Sequence, residues 1–151
     1  TGMRIPVSAK KMYLDHAVSG QKTFVNNKVL NFKSEKAELS SENQTALFVG
    51  DVLIEYPPMT MKSQTANFAY NEKTKLFDFL ELNGKVELKQ DTRRAVSENL
   101  KVDFTTNQMT FSGQPRLYQD DDELMGEKII FLDNGKRVKV EKVKLKAQEQ
   151  I

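Results

Sequence analysis

A weak internal repeat constrains this chain more than any single motif in it. Ala37, Ala66, Leu100 and Ile129 each sit in a short run of alternating apolar and polar residues, at spacings of 29, 34 and 29. Gly50, Gly84 and Gly113 mark a second kind of run, at spacings of 34 and 29. An extra five residues enters both series at the same place, between positions 70 and 84, so the two stay in register. A unit of roughly thirty residues, read as two strands and two turns, points to a stacked or rolled β architecture. Such a sheet carries function on a surface or in a groove.

The alternation is clearest around the glycines. Leu80, Leu82, Gly84, Val86 and Leu88 share one parity, and Glu81, Asn83, Lys85 and Glu87 share the other. That period of two gives a strand one apolar and one wet face. The pattern recurs in Phe48, Gly50, Val52, Ile54, Tyr56 and in Met109, Phe111, Gly113, Pro115, Leu117. The other half of each unit supplies Ala66, Phe68, Tyr70, then Leu100, Val102, Phe104, then Ile129, Phe131, with Ala37 and Leu39 as an earlier copy.

Clusters of Asn, Asp, Ser, Thr and Gly at 40–43, 71–74, 105–108 and 133–136 fall between these runs and read as hairpin turns. A glycine recurring at one position inside a strand predicts a bend where the sheet curves over. Pro57-Pro58 ends or kinks the first glycine strand, because proline cannot donate to a ladder. The apolar parity flips between Val140 and Val143, predicting a bulge or turn near Glu141-Lys142. Met12 to Ala17 fits a strand or a short helix equally.

The 151 residues suit one domain with a real core. Residues 1–21 stand as an N-terminal segment of uncertain structure, and 22–151 as a single domain. Only 38% of residues are hydrophobic and 29% are charged, which fits strands wet on one face. The 23 basic and 21 acidic residues are interspersed, with no basic block for nucleic acid. There is no cysteine for a disulfide framework or thiolate chemistry. No run approaches the ~20 apolar residues of a helical membrane span, and no signal sequence is visible.

Three glycine segments carry a family resemblance: Phe48-Val49-Gly50-Asp51-Val52, Leu82-Asn83-Gly84-Lys85-Val86 and Phe111-Ser112-Gly113-Gln114-Pro115. Their alternating partners are Thr65-Ala66-Asn67-Phe68-Ala69-Tyr70 and Glu98-Asn99-Leu100-Lys101-Val102-Asp103, and 124–131 with 137–140 looks like a closing unit. From about Phe24 to Ala147 the chain resembles the OstA-like family, which includes the LptA-type bridge proteins of lipopolysaccharide export. Two positions depart from the family pattern. Gln64 stands where an acidic residue is common, and Pro115 where a β-branched residue is usual.

The resemblance implies an all-β jellyroll of antiparallel strands rolled into an open V-shaped trough. It implies a periplasmic, non-enzymatic carrier that shields the lipid A acyl chains of lipopolysaccharide and bridges inner to outer membrane. Its implied partners are other OstA-like subunits at both membranes and further copies of itself, stacked end to end. No cofactor and no nucleic acid are implied. An anchored LptC-like subunit and a ligand-free structural β-repeat module remain as alternatives. A carbohydrate-active β-solenoid enzyme ranks third, since the chain has no Trp.

On this reading the lipid-binding walls are Phe48, Val52, Ile54, Phe68, Tyr70, Leu82, Val86, Leu88, Leu100, Val102, Phe104, Phe111, Leu117, Ile129 and Phe131. Parity alone does not separate a groove wall from an ordinary core. Val143, Leu145 and Ala147, alternating with Lys142, Lys144 and Lys146, form the expected docking edge, or else an edge guarded by charge. No Gly-x-x-x-x-Gly-Lys-Ser/Thr loop is present, so any transport energy comes from outside the chain. His16 is the sole histidine and reads as a surface residue; Asp120 to Glu123 reads as a solvated loop rather than a cation site.

Overall fold

The computed structural model describes residues 11–23, 29–40, 44–71, 76–133 and 135–142. Within them eleven antiparallel strands form one sheet. In chain order they are β1 (Lys11–Thr23), β2 (Val29–Ser40), β3 (Thr45–Tyr56), β4 (Met59–Asn71), β5 (Leu76–Gln90) and β6 (Arg93–Asp103). Shorter strands follow: β7 (Gln108–Ser112), β8 (Arg116–Gln119), β9 (Asp122–Met125), β10 (Lys128–Leu132) and β11 (Arg137–Glu141). The sheet runs β1 through β7, then β10 and β11, while the β8–β9 hairpin hangs from β6. It does not close on itself. The ambiguous N-terminal stretch is a strand, and β1 crosses the boundary expected at residue 21.

Every long strand bends in its middle, and the bend line folds the sheet into two walls. The first wall holds residues 36–40, 45–49, 65–71, 76–83 and 99–103 with β7, β10 and β11. The second wall holds 29–33, 52–56, 59–63, 86–90 and 93–97 with β8 and β9.

The recurring glycines make the bend. Gly50 and Asp51, Gly84 and Lys85, and Gly113 and Gln114 all take positive φ, between 44° and 90°. In β3 and β5 this inserts one extra residue against both neighbouring strands, as Val49 and Val52 pair with Thr65 and Ser63. A left-handed pair of this kind kinks the strand and increases its twist. Glycine is required on steric grounds too: a Cβ on Gly84 would lie 2.9 Å from the Cβ of Gln64.

The partner strands bend differently. Ser34, Ser63 and Ser97 are buried opposite the glycines. Each hydroxyl donates to the carbonyl two residues on, of Lys36, Thr65 and Asn99, at 2.8–2.9 Å. With no extra residue to absorb the kink, β4 and β6 switch inward parity there. In β4 the inward residues are Met59, Met61 and Ser63 before the bend and Ala66 and Phe68 after it. Gly126 and Glu127 make the same step in the last unit, where the Glu127 amide donates to the Glu141 carbonyl at 3.0 Å.

The turns follow their chemistry. Pro57-Pro58 links β3 to β4 as a two-residue turn, with Tyr56 opposite Met59. After β6, Asp103 accepts hydrogen bonds from the Thr105 and Thr106 amides at 2.9 and 3.3 Å. The Thr105 hydroxyl and these amides hold its carboxyl below the usual range. Lys142 takes φ 51° directly after β11, where the parity flip was expected. Residues 41–43, 72–74 and Asn134 of the expected turns lie outside the described residues.

Candidate functional site

The candidate site is the space between the two walls. Of the wall residues expected from sequence, Phe48, Val52, Ile54, Phe68, Leu82, Val86, Leu88, Leu100, Val102, Phe111, Leu117, Ile129 and Phe131 are buried there, none more than 5% exposed. Phe104 is half-buried against the same cluster, and the Tyr70 side chain lies outside the described residues. Sequence reasoning missed Leu30, Met59, Met61 and Ala95, which complete the second wall. Each lies ahead of a bend serine, at a parity opposite to that of the Ala37, Ala66 or Leu100 run that follows on its own strand. The missed signal is Ser34, Ser63 and Ser97, each three residues before Ala37, Ala66 and Leu100.

The interior is apolar throughout its described part. The buried polar side chains among the described residues are serines: Ser34, Ser40, Ser63 and Ser97. Three of them spend their hydroxyls on the bend, so the walls present hydrocarbon and aromatic edges. Methionines at 59, 61 and 109 add unbranched, adaptable side chains.

The walls touch across the space. Phe32 of the second wall packs on Phe48 and Phe68 of the first, with centroids 4.6 and 6.0 Å apart. Tyr56 meets Phe104 edge to face at 6.3 Å, and burial pushes the Tyr56 hydroxyl pKa up. The Arg93 guanidinium lies over the Phe131 ring at 5.5 Å and donates to the Gly135 carbonyl at 2.6 Å. Each contact joins a second-wall strand to a first-wall strand one to three places further along the sheet, as a twisted sheet requires. The interior is thus packed shut.

The rims remain accessible. Leu124 on β9, opposite Leu117, is 38% exposed, and Val138 and Val140 on β11 are partly buried against the core. The expected docking residues Val143, Leu145 and Ala147 lie outside the described residues. Asp120 and Asp121 form the β8–β9 turn, but Asp122 and Glu123 belong to β9, with Glu123 3.6 Å from Arg116. They are not one loop. Among the described residues no three His, Cys, Asp or Glu side chains gather as metal ligands. The His16 side chain lies outside them.

A polar exterior covers this interior. Glu87 on β5 pairs with Arg94 on β6, and that hydrogen bond holds its carboxyl below the usual range. Arg94 also stacks on Tyr118 at 5.2 Å. Two clefts of about 450 and 490 Å³ lie along the bend, lined largely by polar and charged residues including Lys85, Gln64 and Glu98.

Residues 31–137, more than half of the chain, match the family of LptA and the LptD N-terminal domain, lipopolysaccharide transport proteins. The chain belongs to that family. Its members are carriers and not enzymes. Among solved structures, the LptA/LptD N-terminal fold is seen again in LptH from Pseudomonas aeruginosa. LptH is described as the LptA-homologous periplasmic component of the lipopolysaccharide transport device. The match has a TM-score of 0.67 and 17% identity, over 75% of this chain and 82% of that one. At that identity it establishes the fold. No curated protein sequence matches the chain.

Proposed function

We propose that this chain carries lipopolysaccharide in the periplasm by sheltering its acyl chains between the two walls. The supporting observation is an interior whose described buried side chains are apolar apart from four serines, inside a sheet that does not close. Each CH₂ moved from water into such a space contributes about 0.8 kcal/mol, so a few chain segments supply several kcal/mol without a specific polar contact. The wall residues are those expected from sequence together with Leu30, Met59, Met61 and Ala95. The walls must part for a chain to enter, and the bend line is the place where they can turn.

On this proposal the carrier works as a passive conduit within a bridge between the membranes, joined to other subunits of the family and to its own copies. The sheet ends support that docking: β1 pairs with β2, β11 with β10 and β9 with β8, and the outer edge of each has no partner among the described residues. β1 acts with the rest of the described sheet as one unit, since it pairs with β2 along its length. The packed interior favours one second reading, an assembly module that holds no lipid.

Lipopolysaccharide binding to purified protein separates the two. A photo-crosslinking residue at inward Met61 is expected to capture the lipid, and one at outward Lys62 is not. Saturable binding lost in a Phe68→Asp variant that keeps its β-type circular dichroism supports the carrier. Absence of capture by a well-folded chain supports the assembly module.

A further inference from the structure

Most contacts that shut the interior are apolar and non-directional. Among the described residues a directional contact is made by Arg93, the first residue of β6 at the mouth of the second wall. Its Nη1 donates to the carbonyl of Gly135, in the β10–β11 turn of the first wall, at 2.6 Å. Gly135 is held there by geometry: φ is +89°, and an added Cβ would lie 2.7 Å from Oε1 of Gln90. The turn is fixed in turn by its own hydrogen bonds, from the Gly135 amide to the Leu132 carbonyl at 3.1 Å and from the Lys136 amide to the Asp133 carbonyl at 3.2 Å. The Gly135 carbonyl thus faces one guanidinium across the opening.

The same place holds a cleft of about 450 Å³. Arg93 and Lys136 line it with Thr92 and Gln119, against the single carboxylate of Asp91. A guanidinium with a hydroxyl and the amides of Gln90 and Gln119 around a solvent-open cleft suits a phosphate monoester, which a guanidinium takes in bidentate fashion. A neutral carbonyl is a weaker acceptor than a phosphate for the same guanidinium.

We propose that Arg93 is a latch across the mouth, and that the phosphate of an anionic head group releases it by capturing its guanidinium on the second wall, beside Thr92 and Gln119. This rests on the carrier reading, because the latch matters only if acyl chains enter between the walls. Release leaves the Gly135 carbonyl to water at the rim, and the walls then part about the bend line. Head-group charge is thereby coupled to acyl entry: a phosphorylated lipid opens its own site, and a neutral one does not.

The chain has no cysteine, so a spin-label pair at Lys89→Cys and Lys139→Cys, both exposed and outside the cleft, reports the width of the mouth. Without lipid, Arg93→Gln is expected to raise the open-to-closed ratio about ten- to a hundredfold, the consequence of losing one charged hydrogen bond, while Arg93→Lys retains part of the closure. Lipopolysaccharide is expected to widen the wild-type distance, and the same material stripped of its phosphates is not; Arg93→Gln responds to both alike. Widening by inorganic phosphate alone supports capture of any phosphate, and widening by lipid-borne phosphate alone supports capture of a head group anchored by its chains. An unchanged distance in lipid-free Arg93→Gln overturns the latch. So does equal widening of the wild type by intact and stripped lipid. Capture at Met61, read separately, reports on the carrier itself, so the two ideas fail by different measurements.

Discussion

The two ends of this sheet make the same bend by different means. In β3 and β5 the chain runs unbroken through Gly50 and Gly84, adding one left-handed residue and pairing on both walls. At Gly113 the backbone takes the same conformation, but the strand stops: β7 ends at Ser112 and β8 begins at Arg116. Pro115 lies in the gap and has no N–H to return to the ladder. The β8–β9 hairpin consequently hangs from the 93–96 segment of β6 alone, while β10 pairs with β7 on the other wall. Glycine with a left-handed neighbour makes the bend. A supply of backbone donors on either side decides whether the two walls stay one strand.

That difference predicts an order of fragility. The largest expected effect is Phe68→Ala in the continuous half, a loss of about 3–5 kcal/mol in global stability. Leu117→Ala in the hanging hairpin is expected to cost nearer about 2 kcal/mol, the low end for a buried leucine, because the hairpin can settle into the space. Urea unfolding measures both, and equal losses would remove the distinction between the two ends.

Next come the bends. Gly84→Val forces a β-branched residue into φ +86° against Gln64, an expected cost of about 1–3 kcal/mol or more. Gly113→Val meets Glu98 in the same way, but with the strand already broken its cost is expected to be smaller. Matching urea midpoints for the two variants would show that the ladder does not tighten the bend.

Ser63→Ala and Ser97→Ala each remove one buried hydroxyl-to-carbonyl bond, for about 1 kcal/mol apiece. Both sit opposite the continuous β5, so similar midpoint shifts sharpen the comparison. Pro115→Val restores a donor at the break. The recovered hydrogen bond is offset by a freer unfolded chain, so the net change is expected to stay below about 1 kcal/mol, with slower amide exchange around residues 113–116. Unchanged exchange would shift responsibility for the break away from the proline.

The smallest effect is electrostatic. The depressed Glu87 carboxyl contributes stability that is fully present above the ordinary carboxylate range and is lost as pH falls through its lowered value. Arg94 is 47% exposed, so the contribution is expected to stay below about 1 kcal/mol and to shrink in salt. Acid titrations of wild type and Glu87→Gln measure it as a shallower acid limb in the variant.

Much of this was legible in the amino-acid order. Glycines at 50, 84 and 113 fixed where the sheet turns, because positive φ is cheap only for glycine. Alternation on the glycine strands named the right inward residues on both sides of the bend, since Phe48 and Val52 both face inward. On the serine strands the same rule failed halfway. Met59, Met61 and Ala95 stand at odd positions, and the Ala66 and Leu100 runs made even positions look inward. A parity switch has no signature in alternation itself; only the recurrent serine ahead of Ala37, Ala66 and Leu100 betrays it.

What the sequence determined by itself was local: strand periods, the glycine bends, the proline stop and the turns at Pro57-Pro58 and after Asp103. Each follows from backbone sterics and from hydrogen bonds a few residues long. What the tertiary structure decided was how the walls meet. Arg93 and Gly135 are 42 residues apart, as are no two partners in a hairpin, and nothing in the order of residues marks them as a pair. Their meeting depends on the twist accumulated over the sheet between them, a sum over many strands that no single segment encodes.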